Sequence, residues 1–419
     1  MANIPDVQNQ PSFADLTTIG VGGRIARFVE PRTREEFIET VRQADEEKTL
    51  LSVIGGGSNI LVSDDDFDGM VVRDARHSIT VVDDESNDEN SLLKSITIRV
   101  DAGVHWDDFV SYCVHNGFAG VEALSGIPGT VGASVVQNIG AYGQEVASSV
   151  SYVELWDREK NELCTFDVDT LEFGYRTSIL KQSMYQSGAH SATTKYFPSP
   201  RYIVLAVVFK LTKSHTNTVQ MGQLAKALTV GVGQTFNIDD IRRAVLMIRM
   251  RKGMVEDPHR YENTWMKGTI QDIQRTFVEL SGDDANTSDS KVAANFGTIK
   301  VDRNRWSCGS FFMNPIISTE VAQTLPDGAP QFDATLPGGR EGIKTSAAWL
   351  IDHAGFKAGF KVSDDATAGL STRHTLALTN RGGAHCNDIL ELARVIRAGV
   401  RDTYGITLVP EPVFIGVEI

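Results

Sequence analysis

The sequence has few cysteines and no long apolar run, and each absence excludes a class of protein. Its four cysteines are widely scattered and form no CxxC pair, which argues against a disulfide framework or a zinc site. No run of eighteen apolar residues occurs, so no transmembrane helix is expected. The opening residues, MANIPDVQNQPSFADL, lack the basic patch and apolar core of a signal peptide. We therefore expect a cytoplasmic protein with reduced thiols.

Positive charge is also scarce. Forty lysines and arginines stand against 54 aspartates and glutamates, which gives a formal net charge of −14. This excess argues against nucleic acid or an anionic membrane surface as a partner. A small anionic substrate is still compatible with it, because one pocket can be basic on an acidic protein. The sequence contains neither a Walker A motif nor a GxGxxG motif that opens a helix, so P-loop and Rossmann nucleotide sites are not expected.

The length and the apolar periodicity indicate a mixed α and β protein. A chain of 419 residues is too long for a single core, so we expect two or three domains. Helical spacing is clearest after Thr33, which has Glu36 at capping-box distance, and in DDIRRAVLMIRMRKG and NDILELARVIRAGVRDTYG. Strand signals such as SITIRVDAG and YIVLAVVFKLT are irregularly spaced, which does not fit a regular βαβ array.

Two glycine-rich stretches lie beside predicted strands. GGGSN, residues 55–59, separates two apolar runs, and its consecutive backbone N–H groups can converge on an anion such as pyrophosphate. A tight β-turn explains the same five residues equally well. LSGIPGTVGASVVQNIGAYG, residues 124–143, holds its glycines among small and apolar residues. Because each glycine loses extra entropy when it is ordered, such a backbone is rarely used for a plain loop.

Three polar residues stand in contexts that suit chemistry. Ser310, in CGSFFMNP, is either a small residue that fits between a glycine and two phenylalanines or a proton carrier in a dry pocket. Arg176, in YRTSILK, can bind a carboxylate through two parallel hydrogen bonds or simply face solvent. Glu411 lies in the apolar stretch LVPEPVFIG, where a carboxylate is desolvated, paired or turned towards water.

Acidic runs give no signal for a metal. DDDFDG, residues 64–69, imitates the start of a calcium loop, but its twelfth position is Ala75, where an EF-hand requires a bidentate glutamate. We interpret this run as a turn between strands and expect no metal site. A second acidic run, DDESNDENS near Asp84, is interpreted as a solvated loop.

Taken together, the motifs resemble those of the UDP-N-acetylenolpyruvoylglucosamine reductases, which are flavoenzymes of bacterial peptidoglycan precursor synthesis. Eight segments carry the resemblance, in order from Thr18 to Gly416: TIGVGGRIARFVEP, IGGGSNILVSDDDFDGMVV, LSGIPGTVGASVVQNIGAYGQEV, FGYRTSILK, IRMRKG, CGSFFMNP, SAAWLIDHAGFKAGFKV and LVPEPVFIG. Any one of them is a weak signal. Eight in order cover nearly the whole chain.

The resemblance implies an α+β fold. A two-subdomain FAD-binding module of the vanillyl-alcohol-oxidase (PCMH) type is expected at residues 12–77, completed by the C-terminal strand 405–419, and at residues 78–238. A C-terminal α/β substrate-binding domain is expected at residues 239–404, with an insertion around 257–306 that is far longer than the family needs. The RYENTWMKG part of this insertion is either a partner surface or a tolerated excursion, and the second is favoured.

The resemblance also implies a cofactor, a reductant and a substrate. The cofactor is FAD, without a covalent bond, because serine and asparagine stand where some related oxidases attach the flavin to histidine. NADPH is the expected reductant, and a UDP-sugar enolpyruvate is the expected substrate. The expected FAD contacts come from the two glycine-rich stretches: Gly55, Gly56, Gly57, Ser58, Asn59, Ser125, Gly126, Pro128, Gly129, Gly132 and Asn138.

The same resemblance gives roles to individual side chains. Arg176 and Glu411 are expected to polarise the substrate carboxylate, while Ser310 delivers a proton to the enolate that follows hydride addition. This favours the proton-carrier interpretation of the serine. Lys252 and Asn314 are expected to bind the diphosphate. Where members of this branch commonly have a tyrosine in a YGDL-like segment, the chain has Met221, which offers no comparable donor.

Two other functions stay open at this point. A flavin oxidase of the same superfamily, acting on another small substrate, would pass electrons to oxygen or a quinone and would not need Ser310. A non-catalytic paralogue would bind a nucleotide-sugar or a protein partner through the insertion. Such a paralogue is expected to lose part of the arginine, serine and glutamate set, yet all three are present. No protein partner is assigned by the sequence.

Overall fold

The computed structural model describes residues 10–84, 94–185, 197–270, 301–336 and 339–419. Most of the acidic run DDESNDENS and residues 271–300 of the expected insertion lie outside these ranges. Within them, helices and strands are mixed along the chain, as the periodicity predicts.

The α-helices of the described residues are Phe13–Leu16, Arg34–Glu46, Trp106–His115, Val131–Val136, Ile179–Ser183, Gly222–Leu228, Ile238–Lys252, Thr319–Ala322, Ala347–His353 and Cys386–Tyr404. The strands are Ile25–Val29, Leu50–Ile54, Ile60–Val62, Phe67–Arg73, Ile79–Asp84, Ser95–Asp101, Phe118–Ala119, Gly140–Ala141, Gln144–Glu145, Val150–Asp157, Glu162–Asp167, Tyr202–Lys213, Thr216–Thr218, Thr235–Asn237, Ile316–Ile317, Gln331–Thr335, Glu341–Thr345, Ala368–Leu370, Leu378–Asn380 and Val413–Ile415.

The N-terminal region is built on a small parallel sheet. Strand Phe67–Arg73 lies between Ile25–Val29 and Leu50–Ile54, and both pairings are parallel. The helix that follows Thr33 covers this sheet with its apolar stripe buried, and the Thr33 side chain accepts a hydrogen bond from the Glu36 N–H. The predicted helix start is therefore confirmed, and the threonine satisfies one of the otherwise unpaired N–H groups of the first turn.

The C-terminal end of the chain returns to this region. Strand Val413–Ile415 pairs in parallel with Ile60–Val62, which directly follows the GGGSN stretch. The Val413 N–H also donates to the Asn59 carbonyl at 2.9 Å. This pairing places the segment around Glu411 beside a glycine-rich turn that lies about 350 residues earlier in the sequence. The division into domains at the expected boundaries stays a prediction.

A larger antiparallel sheet forms the middle of the molecule. Its strand order runs from Glu162–Asp167 through Val150–Asp157, Tyr202–Lys213 and Ser95–Asp101 to Ile79–Asp84. The helix Trp106–His115 packs on it, with the rings of Phe109 and Phe209 only 4.5 Å apart between centroids. Cys113 is buried in the same core, which explains its place in the sequence by packing alone.

A separate core gathers the last third of the chain around the helices Ala347–His353 and Cys386–Tyr404. Phe311 and Phe312 belong to it and are almost completely buried. All four cysteines carry free thiols. The described residues contain no helix that is both long and apolar enough to cross a membrane. They also contain no group of three side chains able to hold a metal ion.

The described part of the insertion is packed into the protein. Tyr261 and Met266 are buried in one apolar cluster with Phe13 and Leu16 of the first helix. The Trp306 ring N–H donates to the Asp257 carboxylate at 2.9 Å, so that the two ends of the insertion are joined. The aromatic and apolar side chains of RYENTWMKG thus contribute to a core, and its interpretation as a tolerated excursion stays a prediction.

Candidate functional site

A cavity of about 620 Å³ collects most of the predicted site residues. This volume lies within the usual range for small-molecule and cofactor sites. Thirteen of the predicted residues line the cavity: Gly55, Gly56, Gly57, Ser58, Asn59, Pro128, Gly129, Gly132, Arg176, Lys252, Ser310, Asn314 and Glu411. Segments that are far apart in the sequence thus converge on one space.

The two glycine-rich stretches touch each other through their backbones. A Cβ atom on Gly56 would lie 2.8 Å from the Gly129 Cα, and one on Gly57 would lie 2.2 Å from the Leu16 carbonyl oxygen. Gly57 also has a φ of +64°, which favours glycine. Among the described residues, no acceptor takes the backbone N–H groups of residues 56–59. These free donors fit an anionic group, as the nest interpretation of GGGSN predicts.

Three residues predicted to contact the cofactor do not reach the cavity wall. The Ser125 hydroxyl donates to the Glu122 carbonyl, and the Gly126 N–H donates to the Asp107 carboxylate. The Asn138 side chain is held by the Gly174 carbonyl and by the Ala147 N–H. Protein groups therefore engage the polar atoms of Ser125, Gly126 and Asn138 that were expected to bind the cofactor. Direct contact of these three residues with the cofactor stays a prediction.

Arg176 and Glu411 form an ion pair at the cavity. The Arg176 Nε lies 3.2 Å from the Glu411 Oε1. The two terminal nitrogens of the arginine donate to the carbonyls of Asn138, at 3.3 Å, and Gly140, at 2.7 Å. The arginine backbone has a φ of +57°, an uncommon conformation for a residue with a side chain. Asn138 therefore acts behind the arginine, as part of the scaffold that orients it.

Burial is the largest influence on the pKa of Glu411. It raises the pKa of the Glu411 carboxyl above its ordinary value, while the cations of Arg176 and Lys181 oppose this increase. Burial also lowers the pKa of the Lys181 ammonium, and the Glu411 carboxylate partly offsets that decrease. A carboxyl group between two cations is thus held in a dry environment.

Ser310 is brought to the glutamate segment by backbone pairing. The Glu411 N–H donates to the Phe311 carbonyl and the Met313 N–H donates to the Val409 carbonyl, both at 2.9 Å. Among the described residues, the Ser310 hydroxyl has no hydrogen-bond partner, so its proton is available to a bound molecule. Serine, arginine and glutamate therefore share one wall of the cavity.

The two phenylalanines after Ser310 do not form the dry pocket that the sequence suggested. Phe311 and Phe312 are buried in the C-terminal core and are absent from the cavity wall. Their rings lie 5.1 Å apart between centroids and anchor the backbone that carries the serine. They position the hydroxyl and leave the exclusion of water to other residues.

Lys181 is a site residue that the sequence analysis missed. Its Nζ donates to the Glu411 main-chain carbonyl at 3.2 Å and to the Gln137 side-chain oxygen at 3.3 Å. The same glutamine oxygen accepts from the Asn59 amide at 2.6 Å. Lys181 thus connects the glycine-rich turn to the segment that carries Glu411. The available signal was its position five residues after Arg176 in the quoted stretch YRTSILK.

Further basic side chains line the cavity. The Lys252 Nζ lies 3.2 Å from the Gln223 side-chain oxygen, and burial lowers the pKa of this lysine. Arg249, Arg305 and His374 share the wall with Lys252, and all three were missed. Burial, with the cations of Lys252 and Arg249, lowers the pKa of His374 to about 4, so this imidazole is neutral near pH 7.

Asn314, the second predicted diphosphate contact, is partly engaged by other protein groups. The Asn314 side-chain oxygen accepts from the Ala347 N–H at 2.9 Å, and the same side chain also hydrogen-bonds the Tyr175 hydroxyl. Met221 lines the cavity and precedes the helix Gly222–Leu228. The position where a tyrosine hydroxyl was expected is therefore held by a thioether, while Lys252, Arg249 and Arg305 bring cations to the cavity lining.

The chain matches two protein families along its length. Residues 25–166 match a family described as FAD binding domain, and residues 301–415 match one described as UDP-N-acetylenolpyruvoylglucosamine reductase, C-terminal domain.

Curated relatives extend the match to almost the whole chain. The UDP-N-acetylenolpyruvoylglucosamine reductase of Cutibacterium acnes is 39% identical, over 97% of this chain and 90% of that protein. The enzyme of the same name from Thermobifida fusca is 40% identical over 97% of both chains. Among solved structures, the UDP-N-acetylenolpyruvylglucosamine reductase of Thermus caldophilus aligns with 97% of this chain and 98% of its own, with a TM-score of 0.54 and 23% identity. At that identity the likeness supports the fold alone.

Proposed function

The chain belongs to the UDP-N-acetylenolpyruvoylglucosamine reductase family of FAD-dependent oxidoreductases, and on that premise we propose that it reduces the enolpyruvyl ether of UDP-N-acetylglucosamine enolpyruvate to UDP-N-acetylmuramate with electrons from NADPH. The observation that carries the proposal is the meeting of Arg176, Ser310 and Glu411 in one cavity with two glycine-rich stretches. The family also confirms the predicted α+β fold with an FAD-binding module.

The glycine-rich wall suits a dinucleotide. The close approach of Gly56 to Gly129 leaves no room for side chains, and the free N–H groups of residues 56–59 can bind a pyrophosphate. When bound, FAD supplies a two-electron carrier between NADPH and the enolpyruvyl group. Ser58 and Asn59 in this turn offer no histidine for a covalent link, so we propose that the cofactor dissociates.

Arg176 is suited to hold the substrate carboxylate. Three of its five N–H groups are used by Glu411 and by two main-chain carbonyls. One N–H remains on each terminal nitrogen and can donate to a carboxylate oxygen. The cation then stabilises negative charge that spreads into this carboxylate as the enolate forms. Glu411 fixes the orientation of the guanidinium.

Ser310 is suited to give a proton. Hydride addition to the terminal carbon of the enolpyruvyl group leaves negative charge on the adjacent carbon, and the hydroxyl proton of Ser310 goes to that carbon. An alcohol is a weak acid in water, but an enolate is a strong base, so the transfer is effective when water is excluded. The absence of a hydrogen bond to a described residue leaves this proton free to be aimed at the substrate.

The basic side chains that line the cavity suit the diphosphate. We propose that Lys252 and the Asn314 amide contact the phosphate oxygens of the UDP-sugar, with Arg249 and Arg305 strengthening the field. This arrangement explains how an acidic protein takes an anionic substrate. The expected cytoplasmic location fits a nucleotide-sugar substrate and stays a prediction.

The test separates the two half-reactions. Purified protein with FAD is mixed with NADPH without oxygen, and the flavin absorbance is expected to bleach. Addition of UDP-N-acetylglucosamine enolpyruvate is expected to restore the colour and to yield UDP-N-acetylmuramate. Recovery of colour only with oxygen or a quinone would instead identify an oxidase. A protein that never binds FAD would leave only the non-catalytic alternative.

A further inference from the structure

The described part of the insertion reaches the glycine-rich turn through Arg260. The side chain of Arg260 is 8% exposed, and its guanidinium donates to the Gly56 carbonyl at 2.6 Å and also to the Leu16 carbonyl. These two carbonyls flank Gly57, the glycine with positive φ that has no room for a side chain. A side chain of the insertion is therefore part of the turn's support.

The arginine is held in place by a buried network. The Glu256 Oε1 lies 2.8 Å from the Arg260 Nη1 and accepts from the Tyr261 hydroxyl at 2.6 Å. The other glutamate oxygen lies 2.7 Å from the His105 Nε2. The next residue along, Trp106, donates its backbone N–H to the Gly129 carbonyl at 2.9 Å. The network thus connects both glycine-rich stretches to the insertion.

The hydrogen bond from Arg260 to the Gly56 carbonyl fixes the orientation of the Gly56–Gly57 peptide. In a planar trans peptide the C=O and the following N–H point in opposite directions. A guanidinium that holds the Gly56 carbonyl therefore directs the Gly57 N–H away from itself. That N–H belongs to the group of donors, residues 56–59, that has no acceptor among the described residues. Rotation of this peptide would replace a donor by a carbonyl oxygen, which repels phosphate.

We propose that Arg260 is a positioning residue, contributed by the insertion, that keeps the turn at residues 55–59 in its anion-binding conformation and so tightens the binding of FAD. The proposal rests on the proposed function only in that FAD is the ligand of this turn. It gives the insertion a role inside the molecule, because the segment that carries Arg260 packs on the helix Phe13–Leu16 and contacts the turn directly.

The test is an FAD titration of the apoprotein, followed by quenching of flavin fluorescence. Arg260→Gln is expected to raise the FAD dissociation constant by roughly tenfold or more, since a charge-assisted hydrogen bond to the turn is lost. Arg260→Lys keeps the charge but not the fork geometry, and it is expected to give a smaller increase. If Arg260→Gln does not fold, the lysine variant carries the comparison with the control.

Asn263→Ala is the matched control. This residue lies in the same segment and donates to the Asp15 carbonyl at 3.3 Å, but it does not touch the turn. Its FAD dissociation constant is expected to stay within about twofold of the wild-type value. Equal losses in the Arg260 and Asn263 variants, or no loss in either, would overturn the proposal.

Failure of this inference is distinct from failure of the proposed function. Wild-type protein that binds FAD but is not reoxidised by the enolpyruvyl substrate would refute the reductase activity. The FAD dissociation constants of the variants could still be measured and compared. A holoenzyme that turns over normally, with an unchanged dissociation constant in Arg260→Gln, would refute the inference alone.

Discussion

The side of the cavity that we propose for the cofactor and the side that we propose for the reaction are built in opposite ways. The cofactor side consists of backbone from two short glycine-rich stretches, and Gly56 and Gly129 meet with no space between them. The reactive side consists of side chains from three distant segments, including Arg176, Ser310 and Glu411. One side depends on shape and the other on charge and proton transfer. Changes on the first should therefore alter cofactor affinity, and changes on the second should alter rates.

The largest effect is expected for Ser310→Ala on the reactive side. Bleaching of the flavin by NADPH should be unchanged, whereas reoxidation by the enolpyruvyl substrate should slow by about 10²- to 10⁴-fold, because the proton donor is lost. Stopped-flow absorbance measures both half-reactions, and the bleaching step serves as the internal control. Reoxidation at the wild-type rate would exclude the serine as the donor.

Gly56→Ala should weaken the binding of FAD. The added Cβ would lie 2.8 Å from the Gly129 Cα, so the two stretches must separate. Overpacking of this kind costs about 1–3 kcal/mol, which corresponds to a roughly 5- to 150-fold weaker FAD complex. Gly222→Ala is the matched control, since a Cβ atom there meets nothing within 4 Å. Equal FAD affinity in the two variants would contradict the tight contact.

Lys181→Met should change the pH dependence of reoxidation, because Lys181 contacts both the Glu411 segment and Gln137 beside the glycine-rich turn. Arg176 and Lys181 both lower the pKa of Glu411 against the effect of burial. Loss of one cation should therefore raise that pKa, and an acid limb due to Glu411 in the pH profile of reoxidation should move to higher pH. Lys181→Arg, which keeps a cation, should leave the limb near its wild-type position. An unchanged pH profile in Lys181→Met would show that Lys181 does not influence the pKa of Glu411.

The smallest effect on the cofactor is expected for Ser125→Ala. Its hydroxyl donates to the Glu122 carbonyl at 2.6 Å and does not reach the cavity. FAD affinity should stay within about twofold of wild type, while the free energy of unfolding of the apoprotein should fall by about 1 kcal/mol. Urea denaturation and the FAD titration measure the two quantities. A large loss of FAD affinity would instead support the predicted contact between Ser125 and the cofactor.

The sequence predicted the glycine-rich wall well and its exact membership less well. Glycine at positions 55–57 is a local requirement of the backbone, so it is visible without a structure. Whether a neighbour such as Asn138 faces the cavity or supports Arg176 depends on which partners reach it first, and no periodicity encodes that choice. The same limit explains why Lys181 was missed.

The amino-acid sequence by itself determined the longer helices, such as Arg34–Glu46, Ile238–Lys252 and Cys386–Tyr404, and long strands such as Tyr202–Lys213. It also determined the glycine turns and the order of the family motifs, because these features depend on neighbours along the chain. Only the tertiary structure decided that the terminal strand Val413–Ile415 pairs beside residues 55–59 and carries Glu411 to Arg176. It also decided that Arg260 is buried against a glycine turn rather than exposed on a loop. Contacts between such distant segments depend on packing and strand pairing, for which local sequence holds no signal.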